Sequence, residues 1–401
     1  MKSTLTDLAI FGGTPAFSHT LHVGRPNIGD RQQLLERIND MLDRRWLTNH
    51  GPYVQEFESQ LAARLGVKHC IAMCNGTVAL EITIRALGLR GEVIVPAFTF
   101  IATAHALQWQ EITPVFCDVD PVTHNLSPRQ AERMITPRTT GIVGVHVWGQ
   151  PCEVEALGEL ARRHGLRLLF DAAHAFGCSH QGQMVGRFGD AEVFSFHATK
   201  FFNTFEGGAA ATDNDELAKK IRLMHNFGFA GLDNVIYIGT NGKMNEASAI
   251  MGLSGLESLD EFVAINHRNY GHYRRQLAGV PGLQMLAYDE SEQGNYQYIV
   301  LEIDAETAAI HRDQLVEILH AEGIRARRYF YPGCHQMEPY RTCFPDAGRY
   351  LPETTRLVER VMTLPTGTSI GIGDIARICQ IIRFALAHGP AISARLPQNQ
   401  V

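Results

Sequence analysis

Gly141-Ile-Val-Gly-Val-His-Val147, the segment Glu153 to His164, and Leu166-Arg-Leu-Leu-Phe170 together decide the fold. The outer two are short apolar runs. The segment between them carries Val154, Leu157 and Leu160 at helical spacing among charged neighbours, so it reads as an amphipathic helix. Strand, crossover helix and second strand make one βαβ unit, whose two strands lie parallel.

The same alternation extends in both directions, from about residue 50 to 215. Tyr53 to Gly66 places Val54, Phe57, Leu61 and Leu65 on one helical face and ends on a glycine cap. Thr77 to Leu87 is a second helix, entered through Asn75-Gly76. Glu92 to Pro96, Pro114 to Val119 and Ala191 to Phe196 are short buried strands. Ser127-Pro128-Arg129-Gln130 has the residues of a capping box with proline at the first helical position. Strands separated by helical crossovers predict an α/β fold, a mainly parallel sheet with helices on both faces. Such sheets bind ligands outside the carboxyl ends of their strands. Beyond Met244 a long helical stretch runs to about Leu277. Strands at Tyr296 to Ile303 and Ile324 to Phe330 then mix with helices at His311 to His320 and Ile372 to His388, predicting a smaller α+β domain. The expected division is 1–260, with an amino-terminal substrate-side segment, and 261–401, with a loose polar tail after Gly389.

Composition excludes several classes. The chain has 401 residues, 45% hydrophobic, 19% charged and 8% aromatic, which supplies ample apolar material for a core and rules out disorder as the main state. A net charge of -6 argues against a nucleic-acid surface. The most apolar stretch, Val93 to Leu107, is broken by Pro96 and His105 and is too short to span a bilayer. No basic amino-terminal segment precedes an apolar run, and the eight scattered cysteines contain no CxxC, so a cytoplasmic location with reduced thiols is expected. No HExxH occurs among the 18 histidines, and no metal site is expected.

Three features sit at predicted strand ends. Asp171 closes an apolar run, with His174 three residues on. Ser195-Phe-His-Ala-Thr-Lys200 follows another, continued by Glu206-Gly-Gly208. Cys74-Asn75-Gly76-Thr77 is a small polar turn opening a helix. Singly, each has an ordinary structural reading: a turn cap, a solvated lysine, a satisfied histidine. His197 keeps that reading, as a residue positioning its neighbours. Together they supply what a pyridoxal phosphate site needs. A lysine near an apolar strand end can lose its proton and form a Schiff base with an aldehyde. An acid on a neighbouring strand holds a protonated pyridine nitrogen. Backbone amides at the Gly76-Thr77 helix start, with the Thr77 and Ser195 hydroxyls, receive a phosphate. Phe100 covers one ring face by stacking.

These motifs resemble the DegT/DnrJ/EryC1/StrS sugar aminotransferases, within the aspartate-aminotransferase-like (fold type I) pyridoxal phosphate enzymes. Matching stretches include Trp46-Leu-Thr-Asn, Asn75-Gly-Thr-Val-Ala-Leu80, Pro96-Ala-Phe-Thr-Phe-Ile-Ala-Thr103, Val145-His-Val-Trp-Gly149, Asp171-Ala-Ala-His174, Ser195 to Lys200 and Gly239 to Glu246. The resemblance implies Lys200 as the Schiff-base lysine, Asp171 as the pyridinium partner, Thr77 and Ser195 as phosphate ligands, and Phe100 as the stacking aromatic. It also implies a homodimer with shared sites, to which Asn241, with Lys243 as the alternative, contributes a phosphate contact from the neighbouring subunit. His174 stands where many members have glutamine and is similar to a subset acting on nucleotide-linked 4-keto-6-deoxy sugars. Its charge state is open at this stage. Sugar 3-dehydratases of the family have histidine in place of the lysine, so Lys200 speaks for amino transfer.

The implied reaction moves an amino group from glutamate or glutamine to a nucleotide-linked keto sugar, at C4 of a dTDP-4-keto-6-deoxyhexose, with pyridoxamine phosphate as the form between two half-reactions. Amination at C3, a cyclitol substrate, or a non-catalytic sensor of a nucleotide sugar or of pyridoxal phosphate are the alternatives.

Overall fold

Seven short apolar runs pair into one sheet: β1 (His69–Met73), β2 (Glu92–Pro96), β3 (Thr113–Cys117), β4 (Thr139–Val145), β5 (Arg167–Asp171), β6 (Ala191–Ser195) and β7 (Gly208–Thr212). The spatial order is β1-β7-β6-β5-β4-β2-β3. Every pairing is parallel except those of β7, which runs antiparallel to both neighbours. This computed structural model describes residues 2–396. β1, β2 and β7 are almost wholly buried, as expected for a sheet covered on both faces. Met73, Ser195 and Gly208 share one register line, so the carboxyl ends of β1 and β6 and the start of β7 meet at one edge. After β3 the chain returns to the opposite side of β2, and the carboxyl ends flanking that reversal open a crevice.

The smaller layer is a three-stranded antiparallel sheet (Leu283–Met285, Ile299–Ile303, Val361–Leu364) backed by helices Leu259–Leu277, Arg312–Ala321 and Ile372–Ala387. Leu8, Phe17 and Leu21 pack into this core, and Leu21–His22 pairs in parallel with Ile324–Arg325. The amino-terminal segment therefore folds against the carboxyl-terminal layer, although the sequence division groups it with residues up to 260. The buried Glu322 carboxylate accepts the Ala9 and Ala16 amides and ties the two together.

Several boundaries differ from the sequence reading. Pro128–Arg133 begins with proline, but Ser127 caps nothing, and the Gln130 carboxamide accepts from Arg133 instead. The long helical stretch breaks at Ser258 into Glu246–Glu257 and Leu259–Leu277. Ile324 to Phe330 is a strand only at Ile324–Arg325. The tail after Gly389 is helical over Gly389–Ser393, because Ile392 is buried in the smaller core; residues 397–401 lie outside the described range. Among the described residues no helix is long and apolar enough to cross a membrane, and no group of three or more potential ligands could hold a metal ion.

Candidate active site

Glycine lets the helix start and two strand ends come together. The Gly76–Leu87 helix starts against β6 and β7: a Cβ on Gly76 would lie 2.9 Å from the Ser195 Cβ, and one on Gly208 only 2.6 Å from the Gly76 nitrogen. Asn75 caps this helix by accepting the Val78 amide on its side chain. The Gly76 and Thr77 amides precede the first in-helix acceptor and remain free to meet an anion, at the positive end of the helix dipole. The Thr77 and Ser195 side chains make no hydrogen bond among the described residues and line the same cavity.

That cavity, about 470 Å³, also takes in Phe100, Asp171, His174 and Lys200. Phe100 is 56% exposed and presents its ring at the rim. Asp171 is buried at the end of β5; its Oδ2 accepts the Thr103 hydroxyl at 2.8 Å and its Oδ1 the Ala173 amide at 3.1 Å. Burial pushes its carboxyl up, while these two donors and the Lys200 charge pull it down. Lys200 follows β6 on a loop held by a phenylalanine cluster, with Phe176 and Phe202 at 4.6 Å and Phe196 and Phe202 at 5.0 Å between ring centroids. Asn27 and Asn203 clamp the loop through reciprocal side-chain bonds to backbone carbonyls. Burial lowers the Lys200 ε-ammonium to about 8, Asp171 opposing the fall and Arg327 adding to it. Its Nζ donates to the Tyr298 hydroxyl at 3.4 Å. A lysine so placed has a usable neutral amine near physiological pH.

His174 resolves its own charge state. The Trp148 backbone N–H donates to its Nδ1 at 3.3 Å, and that bond requires an unprotonated Nδ1. Burial, with Lys200 adding, holds the imidazole well below its ordinary value, so the ring is neutral. His197 is exposed and binds Thr199 and Glu206 within its own turn.

Seven of the eight site residues read from sequence thus line one cavity. Asn241 does not: it is exposed, paired in an isolated bridge with Asn226. Sequence reasoning missed Thr103 and Tyr298, which bond Asp171 and Lys200, and also Arg327, Tyr329 and Phe330, which close the cavity from the smaller layer. The extended segment after Ile324 holds the signal that could have found two of them. Alternation puts Arg325, Arg327 and Tyr329 on one face, whereas Arg328 turns away to pair with Asp313 at 3.3 Å and to cover Tyr331. Beside the cavity, and sharing Thr199 and Arg327 with it, an open groove carries Arg25, Arg325, His22 and His320 and no acidic side chain.

Comparison with known proteins points to one family. The sequence model of the DegT/DnrJ/EryC1/StrS aminotransferase family matches residues 29–383. The chain is 38% identical over 320 residues to the dTDP-4-amino-4,6-dideoxy-D-glucose transaminase of Shigella dysenteriae, covering 80% of this chain and 87% of that protein. It is 36% identical over 367 residues to the GDP-perosamine synthase of Caulobacter vibrioides, covering 89% and 96%. Among solved structures, DesI crystallised in the presence of its TDP-sugar product superposes with a TM-score of 0.93 at 50% identity, covering 98% of this chain and 99% of that one. The aminotransferase PseC of Helicobacter pylori, involved in pseudaminic acid biosynthesis, gives 0.85 at 27% identity over 92% and 99%. The fold is therefore the aspartate-aminotransferase-like, fold type I arrangement. With a family match across most of its length and relatives of this identity, the chain belongs to the DegT/DnrJ/EryC1/StrS aminotransferase family and is a sugar aminotransferase.

Proposed function

We propose that the chain uses pyridoxal phosphate to transfer an amino group from glutamate or glutamine to C4 of a dTDP-linked 4-keto-6-deoxyhexose. The observation that carries this reading is Lys200, with its lowered ammonium, sharing a cavity with buried Asp171 and the open start of the Gly76–Leu87 helix. The residues fit the cofactor: an anion cradle that a Cβ on Gly76 or Gly208 would disturb, a buried carboxylate for a ring nitrogen, and an amine that is neutral at modest pH. The cofactor supplies an aldehyde and an electron sink. Asp171 keeps the ring nitrogen protonated, and Thr103 holds that carboxylate in place. Lys200 would hold the cofactor's aldehyde, and its amine would serve as the base and acid that moves the proton of the donor's α-carbon. The same lysine would move the proton in the opposite sense as the amino group passes to the keto sugar. Phe100 covers the ring face, and His174 offers its free Nε2 to the ring's hydroxyl edge.

The substrate assignment draws on the named relatives, of which the Shigella dysenteriae transaminase carries a dTDP-linked 4-amino sugar in its name. The acid-free groove bearing Arg25, Arg325 and Arg327 suits the diphosphate of a nucleotide sugar.

A homodimer completes the reading. The segment 227–238 exposes Phe227, Leu232, Val235 and Ile238, with Leu232 94% and Ile238 76% accessible. Contiguous apolar side chains of this kind mark an interface. Asn241 follows them directly, as a residue offered to the neighbour's site would. Eight unpaired thiols accord with a cytoplasmic setting.

The test is the visible spectrum of the purified protein before and after glutamate, with Lys200→Ala alongside, followed by product analysis on a dTDP-4-keto-6-deoxyhexose. A yellow band that bleaches with glutamate in the wild type alone, and nitrogen at C4 of the product, are expected. A protein left colourless by pyridoxal phosphate overturns the site. Nitrogen at C3, or no transfer from any donor, overturns the substrate assignment or the catalytic reading.

A further inference from the structure

Two of the buried, non-glycine residues with left-handed backbone, His124 at φ 63° and Trp148 at φ 63°, are bonded to each other. Bulky side chains avoid this region, so such a conformation persists only where the surroundings hold it. The Trp148 indole N–H donates to Nδ1 of His124 at 3.0 Å. Nδ1 of His124 being the acceptor, its Nε2–H donates to Oε1 of Glu302 at 3.0 Å, and Arg356 binds the other carboxylate oxygen at 3.2 Å. Phe98 and Phe330 pack against the indole at 6.0 and 5.4 Å between centroids. With its side chain pinned in this way, Trp148 aims its backbone N–H at Nδ1 of His174. Nε2 of His174 makes no hydrogen bond among the described residues, and the ring lines the cavity.

We propose that Trp148 is a positioning residue that acts through His174. Its left-handed backbone, locked by the His124–Glu302 relay, fixes His174 as the neutral Nε2–H tautomer and so makes it a one-way hydrogen-bond donor into the cavity. The smaller layer thereby sets the donor state of a ring in the larger one, since Glu302 lies on its central strand. A donor in this position stabilises an oxyanion on the cofactor's hydroxyl edge, and the proposal rests to that extent on the cofactor reading above. Charged and titratable groups facing His174 are Lys200 and Asp171 from the strand ends, Glu206 and His197 across the cavity, and Arg327, Tyr298 and Tyr329 from the smaller layer.

The test uses the full chain with 15N-labelled histidine, in which His174→Gln identifies the His174 ring signals. In the wild type the ring stays neutral with the proton on Nε2 throughout the mildly acidic to neutral range. In Trp148→Phe, which keeps an aromatic ring but loses the indole N–H, the ring exchanges tautomers or takes up a proton, and pyridoxal phosphate affinity falls about three- to tenfold, the worth of one hydrogen bond. The pH midpoint of the loaded enzyme's visible band moves with it. In a His174→Gln background, Trp148→Phe causes no further change. Glu302→Gln, at the far end of the relay, shifts the same signals in the same direction and serves if Trp148→Phe does not fold. A wild-type ring protonated on Nδ1, or a Trp148→Phe effect that persists in the His174→Gln background, overturns the proposal. If the tautomer is as stated but His174→Gln leaves cofactor affinity and spectrum unchanged, the relay stands and the cofactor-facing reading of His174 falls.

Discussion

Lys200 provides the sharpest quantitative test. At pH 7 an ordinary lysine with a pKa of 10.5 is neutral in roughly one molecule in 3000; a value of about 8 raises this to roughly one in ten, a gain of about 300-fold. Burial drives the shift, and the two other causes act in opposite directions. Asp171→Asn removes the charge that favours the ammonium, so the midpoint falls below that of the wild type. Arg327→Gln removes the repulsion and moves it up. The assay is trace labelling of the cofactor-stripped protein with acetic anhydride over roughly pH 6 to 11, a span bracketing both values. The Lys200 peptide is quantified by mass spectrometry against that of exposed Lys219. A wild-type midpoint at an ordinary lysine value, or two variants that move the same way, would refute the account of how this cavity activates its amine.

The same shift has a consequence for stability. The folded pKa lies below the unfolded one, so between about 8 and 10.5 the unfolded chain holds the extra proton and wild-type stability rises with pH. Lys200→Met is therefore more stable in urea by about 3 kcal/mol below pH 8, an advantage that fades as pH climbs through that window; a constant difference would contradict it. Gly208→Ala forces a Cβ to 2.6 Å from the Gly76 nitrogen and should cost about 1–3 kcal/mol while weakening binding of inorganic phosphate. Unaltered urea midpoint and phosphate affinity would show that the helix start tolerates displacement.

Much of this protein is legible along the chain because parallel sheets buried on both faces leave a local trace. Each strand is a short apolar run and each crossover a 3.6-period helix, so the parallel strands β2 to β6 of the large sheet are legible to within a few residues, whereas the two-residue strands of the Ser179–Met184 hairpin are not. The candidate site was readable for a related reason. Lys200, Asp171, His174, Ser195 and Thr77 all sit at or just beyond a strand's carboxyl end, where this architecture gathers its ligands. β7 escaped because Gly208-Ala-Ala-Ala-Thr212 has no β-branched core signal, only small residues that admit the neighbouring helix. Ser127-Pro-Arg-Gln130 misled because a capping box needs a free N3 side chain, and Gln130 was already engaged by Arg133.

The sequence by itself determined the alternating architecture, the lysine, the carboxylate and the helix start, since each depends on residues near one another in the chain. Tertiary structure alone decided their electrostatics. Burial lowers Lys200 and raises Asp171, and the groups opposing or helping those shifts, Arg327 and Thr103, come from distant segments. It also decided which residues of the smaller layer face the cavity, and that His174 is neutral: its Nδ1 accepts the amide of Trp148, 26 residues away, whose indole is held through His124 by a carboxylate on another sheet. Desolvation and hydrogen-bond direction are properties of what surrounds a group in space, and no local pattern encodes them.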